Sequence, residues 1–400
     1  MNFDTKLVRF DQCPDDPYRP VATPIYQTAT FEQEFATEFG DYDYSRSGNP
    51  TRTVLEKQLA LLENAGRAFC FSSGMAAMAA ISRLVKPGEE ILAGTDLYGG
   101  AYRLFSRILQ PRGIGVRYAA GTSLDELRET ITPQTRLLHI ETPGNPLLSI
   151  TDIAAVAELA HSYGALLSVD NSMMSPYLQA PLDHGADIVV HSATKFLCGH
   201  SDVTAGVVAV NSTKLAQDLY LIQNGEGAAL GPFDCFLLLR GLKTLGLRMQ
   251  RQQENALRIL DFLQRHPQVK RVFYPGWGSA QEQSIHEKQA RGGGALVAFE
   301  TGDVELSRHV AEQTKIFAIT VSFGSVNSSI SLPYFMSHSS IPPELREKSC
   351  FPHDLVRLSV GIEDEKDLIA DLEQAFNSHH AITEVRSCTE EEKLAMNQRE

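Results

Sequence analysis

The residue with the most obvious chemical potential is a lysine. Ala186-Asp187-Ile188-Val189-Val190-His191 reads as a buried strand that delivers Ser192-Ala193-Thr194-Lys195 at its carboxyl end, with Gly199-His200-Ser201-Asp202 shortly after. A lysine between two hydroxyl residues and a glycine is poorly placed for a solvated surface role. An aldehyde cofactor would explain the set, with Lys195 forming a Schiff base and Ser192 and Thr194 holding a phosphate. Taken alone, Lys195 reads more readily as a lysine that ends a strand and snorkels outward. Two further features bear on the choice. Ala165-Leu166-Leu167-Ser168-Val169-Asp170 is a second apolar strand ending in a carboxylate. A pyridoxal phosphate (PLP) enzyme needs an acid at the ring nitrogen to keep the pyridinium protonated. Asp170 fits that role, although taken alone it reads better as a helix N-cap or turn aspartate. Ser73-Gly74-Met75 follows a strand candidate and opens a helix, so its backbone N–H groups can receive a phosphate.

These groups need a scaffold that brings strand ends together. From about residue 61 to 250 short apolar segments alternate with amphipathic ones. Strands are expected over 68–71, 91–94, 136–140, 165–169 and 188–191, with helices over 75–85, 124–130 and 152–163. That alternation predicts an α/β fold with a mostly parallel central sheet covered on both faces, with functional groups at the carboxyl ends of its strands. Residues 1–60 are rich in turn signals, including Pro14, Pro17, Pro20, Pro24 and Asn49-Pro50, and read as an arm that reaches onto another subunit. From about 251 to 378 a polar-faced helix over 249–264 and strands over 269–274, 295–300 and 355–360 suggest a smaller α+β domain. Residues 379–400 form a charged tail that is expected to be mobile.

Composition narrows the classes. The chain has 400 residues, 43% hydrophobic and 21% charged, with a net charge of −13. Such acidity speaks against a nucleic-acid surface, and no apolar run approaches the ~20 residues of a membrane helix. The segment Met1–Lys6 has no apolar signal region, and Asp4 and Asp11 argue against a transit peptide, so a cytoplasmic enzyme is expected. Six scattered cysteines, Cys13, Cys70, Cys198, Cys235, Cys350 and Cys388, form neither a disulfide framework nor a metal-ligand spacing, and no metal is expected.

The combined motifs carry a resemblance. Tyr44-Ser45-Arg46-Ser47-Gly48-Asn49-Pro50-Thr51, Ser72-Ser73-Gly74-Met75-Ala76-Ala77, Asp96-Leu97-Tyr98-Gly99-Gly100, Val169-Asp170-Asn171 and Ser192-Ala193-Thr194-Lys195 resemble the PLP enzymes of cysteine and methionine metabolism. That group holds the cystathionine β-lyases, cystathionine γ-lyases, cystathionine γ-synthases and methionine γ-lyases, and the likeness runs from about residue 4 to 377. The resemblance implies the fold-type I, aspartate-aminotransferase-like architecture and a homotetramer of two active dimers. It implies Lys195 as the Schiff-base lysine, Asp170 at the pyridine nitrogen and Tyr98 stacked on the ring. Gly74, Met75, Ser192 and Thr194 would bind phosphate from the same chain, and Tyr44 and Arg46 from the neighbouring subunit. Arg357 would clamp the substrate carboxylate, assisted by Asn145 and Ser322. Lys195 would also move the Cα proton, and Tyr98 is a candidate acid–base partner for the amine or the leaving thiol.

Within the group, Val321-Ser322-Phe323-Gly324-Ser325-Val326, Phe335-Met336-Ser337-His338, Gln223-Asn224-Gly225-Glu226-Gly227 and His200-Ser201-Asp202-Val203 look most like the plant-type cystathionine β-lyases. γ-Synthases and γ-lyases usually carry Glu where Val321 stands, and methionine γ-lyases usually carry Cys where Gly100 stands. The resemblance thus implies a PLP-dependent carbon–sulfur β-lyase acting on a small amino-acid thioether, with γ-chemistry as the alternative. A PLP-binding protein without turnover would be expected to lack one of Tyr98, Asp170, Lys195 or Arg357, and all four are there. Two departures touch the pocket: Gly144 replaces a usual Thr, and Cys198 replaces a small residue. Either leaves room for another cysteine conjugate as substrate.

Overall fold

The computed structural model describes residues 1–10, 16–94, 97–119, 124–336 and 352–379. Asp11, Cys13, Asp96, Cys350, Cys388, the stretch after Met336 and the tail from residue 380 therefore lie outside the described residues.

Seven strands form the larger sheet: β1 (Arg67–Phe71), β2 (Glu90–Gly94), β3 (Gly115–Ala119), β4 (Thr135–Glu141), β5 (Leu166–Asp170), β6 (Ile188–Ser192) and β7 (Gly206–Val210). Their order is β1-β7-β6-β5-β4-β2-β3, with only β7 running antiparallel to its neighbours. Every residue of β7 is buried, and its apolar side chains alternate between faces. Val207 and Ala209 join Ala68, Cys70 and Val189 on one side, and Val208 and Val210 join Phe69, Phe71 and Ile188 on the other. Burying one such Val or Phe side chain is worth about 1.5–3 kcal/mol, which is why the sheet centre reads as apolar runs.

The helix Pro50–Leu62 packs Val54, Leu55, Leu59 and Leu62 into the first of these cores. It starts on an Asn49 cap whose side chain accepts from the Thr51 and Arg52 amides, with Pro50 at the first turn. The extended N-terminal stretch thus ends near residue 49, and the expected boundary at 60 cuts through a helix of the core.

The second sheet comprises β8 (Arg271–Phe273), β9 (Leu296–Glu300), β10 (Ala318–Ile319), β11 (Ser329–Ser331) and β12 (Leu355–Ser359), in the order β10-β11-β12-β9-β8. Its core holds Val297, Phe299, Val356 and Leu358 against Ile259 and Leu263 of the helix Leu245–Arg265. Among the described residues no helix is long and apolar enough to cross a membrane.

Candidate active site

The carboxyl ends of β1, β2, β4, β5 and β6 open on one cavity of about 430 Å3, closed from the other side by β12 and the loop after β10. Gly74, Met75, Tyr98, Asn145, Asp170, Ser192, Thr194, Lys195, Ser322 and Arg357 all line it. Tyr44 and Arg46 do not. Arg46 lies 5.4 Å over the Tyr44 ring and donates to the Asn224 carbonyl at 2.7 Å, away from this cavity.

One wall suits a phosphate. The helix Gly74–Ser82 begins at Ser73, whose side chain accepts from the Ala76 amide at 3.0 Å, leaving the first N–H groups at the cavity. A methyl at Gly74 would fall 2.9 Å from Ser192 Cβ, and one at Gly206 would fall 2.1 Å from the Ser73 carbonyl oxygen. These glycines let the turn sit close against β6 and β7. Ser192 Oγ has no hydrogen-bond partner among the described residues, and Thr194 Oγ1 accepts from the Ala205 amide at 3.0 Å. These N–H groups and hydroxyls form an anion-binding donor set.

Asp170 ends β5 at the cavity floor. Its Oδ1 accepts from the Ser172 amide at 2.9 Å, and Ser172 Oγ accepts from the Ser192 amide at 2.6 Å. Ser172 thereby ties the carboxylate to the phosphate-facing turn. It is not evident in the sequence, where it reads as one more turn serine.

The Lys195 amine donates to Ser322 Oγ and lies 4.9 Å from the centre of the Phe323 ring. Burial, with the Arg357 charge second, lowers it from 10.5 to about 8, against the opposing pull of Asp170 and Glu141. Arg357 is 2% exposed. It donates from Nη1 to Asn145 Oδ1 at 2.8 Å and from Nη2 to the Ser322 carbonyl at 2.9 Å, while its Nε is buried without a partner. Burial lowers this guanidinium to about 10, with Glu141 opposing. A buried, incompletely satisfied guanidinium is a receptor for a carboxylate. Ser322 holds φ +86°, a left-handed conformation that costs a non-glycine residue about 1–3 kcal/mol.

Cys198, which could suggest a nucleophile, is buried and donates its S–H to Asp202 Oδ1 at 3.2 Å. Burial first, then this carboxylate, push its thiol up to about 12, so it packs as a small hydrophobe. Arg103 and His139 also line the cavity and were not singled out by the sequence. Arg103, exposed at the last turn of the helix Gly99–Arg103, lies five residues after Tyr98, and nothing local in the sequence marks it. Among the described residues no group of His, Cys, Asp and Glu could hold a metal ion.

The sequence model of the family described as "Cys/Met metabolism PLP-dependent enzyme" matches residues 4–377. Cystathionine beta-lyase, chloroplastic, of Arabidopsis thaliana is 54% identical over 94% of this chain and 80% of its own length. Cystathionine gamma-lyase of Dictyostelium discoideum is 46% identical over 93% of this chain and 97% of its own. The crystal structure of cystathionine gamma synthase from Xanthomonas oryzae pv. oryzae in complex with cystathionine superimposes with a TM-score of 0.92 at 38% identity, covering 95% of this chain and 99% of that one.

Proposed function

The chain belongs to the Cys/Met metabolism PLP-dependent enzymes, and from that premise we propose that it is a carbon–sulfur β-lyase. Its substrate would be L-cystathionine or a related cysteine S-conjugate, and its products a thiol such as homocysteine, with pyruvate and ammonia. The observation that carries the reading is Lys195, an amine lowered to about 8 in a cavity shared with Asp170 and Arg357.

Bound PLP supplies an aldehyde for amines and a protonated ring that accepts the electrons of the Cα–H bond. The protein supplies the rest. The Ser73–Met75 amides, Ser192 and Thr194 would hold the phosphate, and Asp170 would face the ring nitrogen. Arg357 takes the substrate carboxylate through the guanidinium it presents to the cavity, with Asn145 bracing Nη1. Lys195 Nζ removes the Cα proton, and the neutral amine that this needs is accessible because burial has lowered it. Tyr98, nearly half exposed at the mouth, offers its hydroxyl as the proton donor for the leaving sulfur. Arg103 is placed to meet a second carboxylate at the far end of a thioether.

Val321 favours β- over γ-cleavage. It lies 64% exposed at the cavity and brings no carboxylate to hold a distal ammonium. Exposed Tyr44 and Arg46, outside their own cavity, support the homotetramer in which they serve the neighbour's site. The cytoplasmic placement and the domain limits near 250 and 378 stay part of this proposal, and cell fractionation tests the former.

The deciding experiment is a product assay with L-cystathionine on PLP-loaded enzyme. Pyruvate with homocysteine is expected. 2-Oxobutyrate with cysteine would make it a γ-lyase and defeat the argument from Val321.

A further inference from the structure

One fully buried titratable side chain in the cavity wall has no part in the mechanism above. In the parallel pairing of β4 and β5, His139 stands opposite Ser168 and Glu141 opposite Asp170. Side chains two apart share a face, so His139 and Asp170 are diagonal neighbours on the cavity side, about 7 Å apart, within reach of a ring. His139 is 1% exposed, and both it and Asp170 line the cavity.

Its orientation is fixed from two sides. Nδ1 and Ser168 Oγ are 2.6 Å apart, and the ring meets Phe105 edge-on with centroids 6.1 Å apart. Nε2 has no protein partner among the described residues. Burial lowers the imidazole to about 4, against the Asp170 charge that opposes it, so the ring is neutral at pH 7. Asp170 and Glu141 are the carboxylates facing it, with the Lys195 and Arg357 cations across the cavity. A lone pair on Nε2 would face carboxylates, whereas an N–H would meet them favourably. The stable tautomer therefore has the Ser168 hydroxyl donating to Nδ1 and the proton on Nε2.

We propose that His139 is a positioning residue for the cofactor, acting through Asp170: its Nε2–H, on a ring that the Ser168 hydroxyl holds in place through Nδ1, steadies the carboxylate's charge beside the pyridine nitrogen. A neutral donor does this without cancelling the charge that the ring needs. The inference rests on the reading that this cavity takes PLP with its nitrogen toward Asp170.

The test uses PLP-loaded wild type, His139→Phe, His139→Gln and Ser168→Ala, measuring the PLP dissociation constant, the pH midpoint of the cofactor absorbance, and kcat and KM on cystathionine. His139→Phe is expected to weaken PLP about threefold, less than a direct hydrogen bond to a charged group is worth, because the ring and Asp170 are diagonal neighbours. It should raise the absorbance midpoint by about half a pH unit, because a less firmly protonated ring withdraws fewer electrons, and lower kcat with little change in KM. His139→Gln should recover most of each. Ser168→Ala should give a smaller change of the same sign that disappears in the His139→Phe background. A His139→Phe enzyme with wild-type PLP affinity and midpoint overturns the proposal, as does Gln failing as fully as Phe, which would make the ring a space-filler. If His139→Phe does not fold, an unchanged midpoint in Ser168→Ala overturns it. A wild type with no Lys195-dependent PLP absorbance would defeat the site reading itself, and this proposal with it.

Discussion

The amine of Lys195 donates to the hydroxyl of Ser322, and the backbone carbonyl of the same Ser322 accepts from Arg357 Nη2 at 2.9 Å. One residue of the second sheet's loop thus connects the Lys195 amine just beyond β6 to the Arg357 guanidinium on β12. It makes both contacts from a left-handed backbone, with φ +86°. Ser322→Gly should therefore separate stability from activity. Relief of the backbone strain raises Tm by about 1–2 °C, while loss of the hydroxyl lowers kcat several-fold. Thermal melts beside steady-state kinetics check this, and a glycine variant that is both less stable and fully active would contradict it.

Lys195→Ala should abolish the PLP absorbance that depends on the amine and lower kcat by at least about a thousandfold, the scale of a lost base together with a lost covalent anchor. Spectra and product formation on the same preparation measure both.

Arg357→Lys keeps the charge but not the fork. With Asn145 Oδ1 and the Ser322 carbonyl left without their two donors, KM for cystathionine should rise about 10- to 100-fold, with a smaller effect on kcat. A KM within twofold of wild type would show that the substrate carboxylate binds elsewhere.

Gly100 leaves no room for a side chain, since a methyl there would fall 2.4 Å from Tyr98 Cε1 and 2.8 Å from Met75 Sδ. Gly100→Cys should push the Tyr98 ring from its place, shifting the cofactor spectrum and lowering kcat about tenfold. That is the scale of one misplaced group in a site that works by orientation. An unchanged spectrum would mean that the ring adapts.

In the cofactor-free chain, folding lowers the Lys195 amine from 10.5 to about 8. Between these values the unfolded chain binds the proton and the folded chain does not, so stability rises with pH in this window. One such group contributes up to about 1.4 kcal/mol per pH unit. Below about pH 8 both states are protonated and the burial penalty is borne in full. Lys195→Met, which carries no charge, should exceed wild type in urea stability at pH 7, with the gap narrowing by pH 9.5. A gap that is constant with pH would show that the amine is not buried as described.

The legible parts of the sequence were those where an apolar run ends abruptly in polar chemistry. β5 closing on Asp170 and β6 leading to Ser192 and Lys195 have that form, and the structure extends each expected strand by one residue at its carboxyl end. β7 escapes a sequence reading because Gly206–Val210 is a short apolar run, equally compatible with a buried helix. His139 is hidden inside Leu137-Leu138-His139-Ile140, where only the pairing with Ser168 shows which face it takes. Ser172 and Arg103 carry no local signal of their function either. Their significance is spatial.

The division of the site between two sheets also sets an order of assembly. The groups suited to the phosphate and the ring nitrogen, from Ser73 to Thr194, come from one sheet that is complete by Val210, whereas Ser322 and Arg357 arrive with strands near the end of the chain. A chain folding as it is synthesised forms its domains in that sequence. The core on which β6 and β7 rest also takes Leu238, Leu242 and Met249, so the phosphate-facing sheet is packed only once the helices after Val210 are made, and the strands flanking Ser322 and bearing Arg357 follow later still.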